Sequence, residues 1–323
     1  MATVETGARL HFGFQNLSLA HERLYGGIGV GLAAPSLVVD AERADEVTCS
    51  DEAVTPYVDR AVEVLGLPGA RVRVTERFGR HVGFGSGTQM ALACVRAIAA
   101  AYDRQVDVPE RAPALERGGR SGVGVATFER GGFVVDAGHP TERFTSEPPE
   151  PGAWRVPEPI AAWSLPQHFR FVLVTPAVTA GRSGEAEEVS MRRIVERADP
   201  GIGDEIAKLV TRRLLPAVVE ADVDAFGRAV ARLGRLNGAW YADEQGGVYR
   251  PPAGRLIEAL GDSRAVTGAG QSSWGPTVYG VTTAEDSEQA AADAQTALED
   301  RGLDGTVRVA APRNTGATVD PEP

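Results

Sequence analysis

The sequence predicts a two-domain α+β protein. Strand alternation and helical spacing interleave through residues 4–136, a proline-dense stretch interrupts them at 145–167, and a second series of strands and helices runs from 169 to 310. With 323 residues and 43% hydrophobic content, the chain can build one large or two medium cores.

Residues 4–14 alternate apolar and polar side chains as a strand does, and 37–41 and 46–49 read as two shorter strands. Apolar residues then recur at helical intervals over 53–65 up to the stop Leu67-Pro68-Gly69, and 71–76 returns to alternation. An apolar helix is expected over 90–102. A short helix at 108–115 contains an early proline, another is expected at 122–128, and the turn Arg130-Gly131-Gly132 leads into a strand at 133–136. Between 145 and 167 lie Pro148, Pro149, Pro151, Pro157, Pro159 and Pro166, too many for regular structure. The boundary is placed there, giving domains at 1–150 and 165–311. The second domain opens with an apolar strand at 169–175. Helices follow at 204–215, 222–236 and 253–260, then strands at 265–267 and 277–283, a helix at 287–301 and a strand at 306–310, an order suited to an α+β sandwich. Residues 312–323, rich in Gly, Pro and small polar side chains, are expected to form a flexible tail.

A net charge of −11 with no basic block excludes a surface that attracts nucleic acid by charge alone, so any anionic ligand must be held locally. No apolar run approaches the roughly 18 residues that cross a bilayer, and the opening Met1-Ala2-Thr3-Val4-Glu5 lacks the features of a secretion signal, so no membrane partner and a cytoplasmic location are expected. Cys49 and Cys94 are isolated and give no metal-ligand spacing. No metal ligands are assigned. Lys208 is the only lysine among 33 basic residues. Arginine in its place together with excess acid suits a halophilic, high-salt cytoplasm, and a GC-rich genome accounts for the missing lysines almost as well.

Three glycine-rich loops carry the chemistry. Gly83-Phe84-Gly85-Ser86-Gly87-Thr88-Gln89 runs into a helix, where backbone N–H groups and the positive end of the helix dipole favour an anion. An ordinary glycine turn with a good N-cap gives the same pattern. Gly118-Gly119-Arg120-Ser121-Gly122-Val123-Gly124 adds a guanidinium able to grip phosphate or carboxylate, or else is a structural turn with an exposed arginine. Gly268-Ala269-Gly270-Gln271-Ser272-Ser273-Trp274-Gly275-Pro276 sets hydrogen-bond donors beside an aromatic face, with Trp274 expected to line a cavity rather than plug the core. Thr179-Ala180-Gly181-Arg182-Ser183-Gly184-Glu185 is expected to be a plain surface loop, and Asn237-Gly238 to end a helix before the packing residues Trp240 and Tyr241. His21, Arg23 and Tyr25, ahead of Gly26-Gly27, are further candidates for reaching a site between the domains.

With these loops in this order, the chain resembles the GHMP superfamily of small-molecule kinases over almost its whole length. Ala8-Arg9-Leu10-His11-Phe12-Gly13 is similar to the first superfamily motif, the loop at 83–89 to its phosphate loop, and the loop at 268–275 to its third motif. Within the superfamily the wording is nearest to the β-ribofuranosylaminobenzene 5′-phosphate synthase family. That likeness rests on Arg9-Leu10-His11-Phe12-Gly13, Gly85-Ser86-Gly87-Thr88-Gln89, the second loop followed by Phe128-Glu129-Arg130-Gly131-Gly132-Phe133, and the long Gln271-Ser272-Ser273-Trp274-Gly275-Pro276-Thr277-Val278-Tyr279-Gly280.

The resemblance implies a GHMP-kinase-like fold, with a ribosomal-S5-like N-terminal domain and a ferredoxin-like C-terminal α/β sandwich. It further implies a transferase of pterin-cofactor biosynthesis that joins phosphoribosyl pyrophosphate to a benzoate-type acid and releases carbon dioxide and pyrophosphate. The small-molecule partners would be that phosphorylated donor and the aromatic acid. Gly83, Gly85, Ser86, Gly87, Thr88, Gln89, Ser121 and Gly122 are the expected phosphate-binding residues. Arg9 and Arg120 are expected to offset negative charge, His11 to manage a proton, and Gln271, Ser272, Ser273 and Trp274 to hold the acceptor. Superfamily kinases place a lysine and an aspartate where this chain has Arg9 and Gly124, and a glycine cannot take a proton. The alternatives are an ATP-dependent small-molecule kinase and a non-catalytic nucleotide- or phosphate-binding protein. Magnesium is expected with either donor, and a homodimer is the base-rate expectation.

Overall fold

A computed structural model describes residues 1–144, 150, 152–178 and 185–321. It opens on a long antiparallel pair, β1 (Ala2–Asn16) and β2 (Arg23–Arg43), with register shifts between Gly7 and Arg9 and between His11 and Gly13. The glycine-rich first half of β2 was not read as a strand, because its glycines erase the alternation. They are there for close packing: a Cβ on Gly27 would collide with the Ser121 hydroxyl. β3 (Val47–Cys49), α1 (Thr55–Leu65) and β4 (Ala70–Glu76) follow as expected, α1 being bounded by Pro56 in its first turn and a left-handed Gly66 at its end.

Next come α2 (Ser86–Ala101), α3 (Val108–Arg111), a 3-10 turn at Pro113–Leu115, α4 (Val123–Arg130), β5 (Phe133–Asp136), β6 (His139–Pro140) and β7 (Pro159–Trp163). β7 lies inside the supposed linker and pairs with β5, so the first sheet extends past residue 150. Its proline stands at the strand's first position, where no ladder donor is required.

The second half contains β8 (Phe169–Pro176), α5 (Glu185–Arg197), α6 (Pro200–Leu209), a π-helical turn at Val210–Leu214, α7 (Leu215–Val219), α8 (Val223–Gln245), α9 (Ala253–Asp262), β9 (Gly268–Gln271), β10 (Val278–Thr283), α10 (Ser287–Glu299) and β11 (Gly305–Ala310). Its antiparallel sheet has the order β11-β8-β10-β9, the ferredoxin-like arrangement. The strand expected at 265–267 lies one element later, in β9. The 179–184 part of the expected surface loop lies outside the described residues, and α5 starts at its last member.

Two expectations are overturned. Asn237-Gly238 does not end a helix: α8 continues to Gln245, because the Asn237 side chain accepts from the Phe14 N–H at 2.7 Å and donates to the Phe14 carbonyl at 3.0 Å. The segment from residue 312 is no frayed tail. Pro312 bridges to Leu32, Arg313 pairs with Glu5 at 2.9 Å, Asn314 bonds both ways with the Leu165 backbone, and β12 (Thr318–Pro321) adds to the edge of β1.

Strand alternation in β8 divides the core. Val172 and Val174 pack with α9 and α10, whereas Phe169, Phe171 and Leu173 join the core of the first domain. Phe12 of β1 meets Phe171, Phe226 and Tyr279 there, with ring centroids 6.3, 5.8 and 5.1 Å away. The two domains therefore share one interior, which fixes β1 relative to the second sheet. Among the described residues no helix is long and apolar enough to cross a membrane.

Candidate active site

One cavity of about 630 Å³ collects residues from all three loops, from β1 and from α8. The first loop bends through left-handed Gly83 and Gly85, the latter serving as N-cap of α2 with φ 72°. Neither Ser86 nor Thr88 caps the helix by its side chain. The amides of Thr88 and Gln89 both reach the Gly85 carbonyl at 3.0 Å, while those of Ser86 and Gly87, in the first turn, have no acceptor among the described residues. Thr88 is the loop residue on the main cavity wall, and Ser86 faces a separate small void.

Gln89 is not a ligand residue. It is 1% exposed, accepts from the Thr6 hydroxyl at 2.8 Å and donates to the Gly124 carbonyl at 2.9 Å. The second loop also departs from expectation. Asp136 Oδ2 accepts from the Gly122 amide at 2.7 Å and from the Ser121 hydroxyl at 3.1 Å, so an internal carboxylate occupies these two expected phosphate donors. Burial raises the Asp136 pKa to about 6 against the hydrogen bonds that favour its charge.

Arg9 and His11 sit on β1 with Arg120 nearby. The Arg9 guanidinium donates to the Gly83 carbonyl at 3.4 Å, and burial lowers its pKa to about 10. His11 is 5% exposed, and its pKa is held well below 6.5 by burial and then by the charges of Arg9 and Arg120. It is therefore neutral at pH 7. Burial pulls the Arg120 guanidinium down, but Glu187, 2.9 Å away, and Glu188 more than offset this.

In the third loop only part of the expected acceptor site faces the cavity freely. Ser272 is fully buried, with its hydroxyl donating to Gly83 O and accepting from His11 N. Gln271 lines the cavity, yet its amide is held by the Arg250 N–H at 2.9 Å and the Ser273 carbonyl at 3.0 Å. Exposed Ser273, with φ 54°, and Trp274 complete the wall.

The Trp274 ring meets Tyr241 edge-on at 4.9 Å, so Tyr241 is a cavity residue and not a packing one. Trp240, in contrast, is buried and donates to the Asp199 carbonyl at 3.1 Å. The signal for Tyr241 was its spacing: Asn237, Gly238 and Tyr241 fall on one face of α8. Tyr25 also lines the cavity at φ 68°, whereas Arg23 braces the Ala137 and Gly138 carbonyls and His21 contacts Asp204.

Sequence reasoning also missed Arg117, Arg143 and Arg192, which share no motif. With Arg9 and Arg120 they outnumber the lining carboxylates Glu116, Glu187 and Glu188, so the cavity is cationic within an acidic protein. Among the described residues, no group of three His, Cys, Asp or Glu side chains is placed to hold a metal.

Residues 54–132 match the GHMP kinases N terminal domain family, and residues 214–302 match the GHMP kinases C terminal family. The chain is 31% identical over 301 residues to a β-ribofuranosylphenol 5′-phosphate synthase of Methanothermobacter thermautotrophicus, covering 86% of this chain and 88% of that one. The synthase of the same name from Archaeoglobus fulgidus is 33% identical over 290 residues, with 87% and 88% covered. Among solved structures, homoserine kinase from Cytophaga hutchinsonii superposes with a TM-score of 0.66 at 16% identity, covering 99% of this chain and 97% of that one. Mevalonate diphosphate decarboxylase from Staphylococcus aureus gives 0.68 at 12% identity, with 99% of each chain covered. These two likenesses concern the fold alone.

Proposed function

The chain belongs to the GHMP kinase superfamily and within it to the β-ribofuranosylphenol 5′-phosphate synthase family, and from that premise we propose that it joins phosphoribosyl pyrophosphate to a hydroxy- or aminobenzoate with release of carbon dioxide and pyrophosphate. The phenol in the relatives' name puts the hydroxybenzoate first. Such a step would serve pterin-cofactor synthesis.

One observation carries the preference for a transferase over a kinase. Gly124 stands where superfamily kinases place an aspartate, so this chain has no carboxylate at that position, and a Cβ there would lie as close as 3.0 Å to Thr88 Cγ2.

In this reading the C–O bond between the anomeric carbon and the diphosphate breaks, and pyrophosphate leaves with the electron pair. The ring carbon that bears the carboxylate bonds to the anomeric carbon. Loss of carbon dioxide then returns its bonding pair to the ring and restores aromaticity. Arg9 and the free amides of Ser86 and Gly87 stabilise the departing diphosphate. Trp274 and Tyr241 wall the ring, and Arg120 meets the carboxylate while Glu187 holds it in place. Neutral His11 accepts a hydrogen bond from the phenol hydroxyl, which raises electron density at the attacking carbon without moving the proton onto a ring that burial and Arg9 keep uncharged. Magnesium fits as a companion of the diphosphate, where it would neutralise departing charge. The chain's own part is to receive that ion with the donor, since Glu187 is committed to Arg120.

Purified protein incubated with phosphoribosyl pyrophosphate and a carboxyl-labelled hydroxybenzoate should release labelled carbon dioxide and pyrophosphate in equal amounts. ADP from ATP and an alcohol, with no pyrophosphate, would overturn the assignment in favour of a kinase. Binding of the donor without turnover would favour a non-catalytic protein.

A further inference from the structure

Arg43, Arg60, Arg71 and Arg73 each hold a carboxylate, as an acidic chain makes easy. Three guanidinium groups on the cavity wall, those of Arg9, Arg117 and Arg143, have no carboxylate within ion-pair distance among the described residues. A partly buried cation with no carboxylate in contact is costly unless a ligand supplies one, and Glu187 favours the Arg9 charge only from a distance, less than burial opposes it.

The three do not gather at one point. Arg9 lies against the start of α2: a Cβ on Gly85 would stand 2.9 Å from Arg9 Cγ. Arg117 approaches the same helix start from another loop. Its guanidinium carbon is 5.8 Å from the centroid of the Tyr57 ring, and the Tyr57 hydroxyl is 3.5 Å from where a Gly87 Cβ would stand. Both arginines keep a buried Nε–H with no hydrogen-bond partner. Arg143 contacts a different set of residues, beside β6. It donates to the Ala153 carbonyl at 2.6 Å and to Nδ1 of His139 at 3.3 Å, and the His139 ring is 6.4 Å from that of Tyr25. His139 is 6% exposed, and burial lowers its pKa to about 4, so it braces Arg143 without sharing its charge.

We propose that the cavity holds two separate phosphoryl subsites, with Arg117 joining Arg9 on the diphosphate at the start of α2 and Arg143 binding the 5′-phosphate of the same donor. The inference rests on the reading of the donor as a ribosyl diphosphate. Such a molecule carries charge at both ends with a sugar between, which matches arginines approaching from two walls better than one cluster would.

Two half-ligands separate the subsites. Calorimetric titration with pyrophosphate alone and with ribose 5-phosphate alone should show binding of each to the native protein. Arg143→Gln should weaken ribose 5-phosphate by about tenfold or more while pyrophosphate changes by less than about twofold, and Arg117→Gln should do the reverse. The half-ligand that each variant still binds reports that its fold is intact. The proposal fails if Arg143→Gln leaves ribose 5-phosphate affinity unchanged, or if both variants weaken both half-ligands equally. A native protein that binds neither half-ligand would remove the donor reading itself, and this inference with it.

Discussion

The hydroxyl of Ser272 donates to the Gly83 carbonyl at 2.7 Å and accepts from the His11 amide at 3.2 Å, so one buried side chain ties the third loop to the first and to β1. Ser272→Ala would leave the buried His11 amide unpaired and the Gly83 carbonyl with only the long Arg9 contact at 3.4 Å. The expected cost is about 2 kcal/mol in urea unfolding, with a fall in kcat/KM as Arg9 and His11 lose their shared anchor. Unchanged stability would show the tie to be incidental.

Gly87→Val tests the helix start. A Cβ there meets nothing nearer than the Tyr57 hydroxyl at 3.5 Å, and the residue is in regular helix, so the unfolding midpoint should hold. Pyrophosphate affinity should nevertheless fall about tenfold or more, because the side chain stands where phosphate must approach the amides. Full affinity in a folded variant would place the diphosphate elsewhere.

Trp274→Ala should raise the KM for the aromatic acid by about tenfold, with pyrophosphate binding unchanged. Tyr241→Phe, which keeps the ring edge against Trp274, should have a smaller effect. Equal losses in the two variants would point to the Tyr241 hydroxyl rather than to the aromatic wall.

Asp136 titrates near pH 6 in the folded protein, against an ordinary value of 3.8, because burial disfavours its charge. Between about pH 4 and 6 the folded state then holds a proton that the unfolded state has lost, so this group's contribution to stability declines as pH rises and is constant above that window. Asp136→Asn removes the effect. Its stability relative to the native protein should therefore climb by up to about 3 kcal/mol across the same window, followed by chemical unfolding at each pH. A constant difference between the two proteins would refute the shift.

Removing residues 312–321 should destabilise the protein by about 2 kcal/mol or more, since it strips a strand from β1 and the Arg313 contact from Glu5. A truncated chain as stable as the whole one would show that β12 adds nothing to the sheet.

The elements that bury an alternating or helical stripe were legible from the residues: β1, α1, β4 and α10 follow their apolar spacing closely. The opening half of β2 was not, because glycines that admit Ser121 and its neighbours leave no pattern to read. Nor was the continuation of α8, where a contact 223 positions away satisfies Asn237. At the site, the motifs named Arg9, His11, Arg120 and Trp274, which do line one cavity. They could not show that Gln89, Ser121, Gly122 and Ser272 spend their polar groups inside the protein, since those partners are assembled only by the fold. Arg117, Arg143 and Tyr241 escaped for the converse reason: each is an ordinary residue until tertiary structure brings it to the cavity.

The closing strand has a consequence for how the molecule is made. β12 completes the edge of β1 and Pro312 bridges to Leu32 of β2, yet both leave the ribosome after every residue of the second sheet. The first domain therefore cannot finish during its own translation. The Ala2–Glu5 end of β1 keeps an unpaired edge until residues 318–321 have been made, which ties completion of the first sheet to a segment translated after the second.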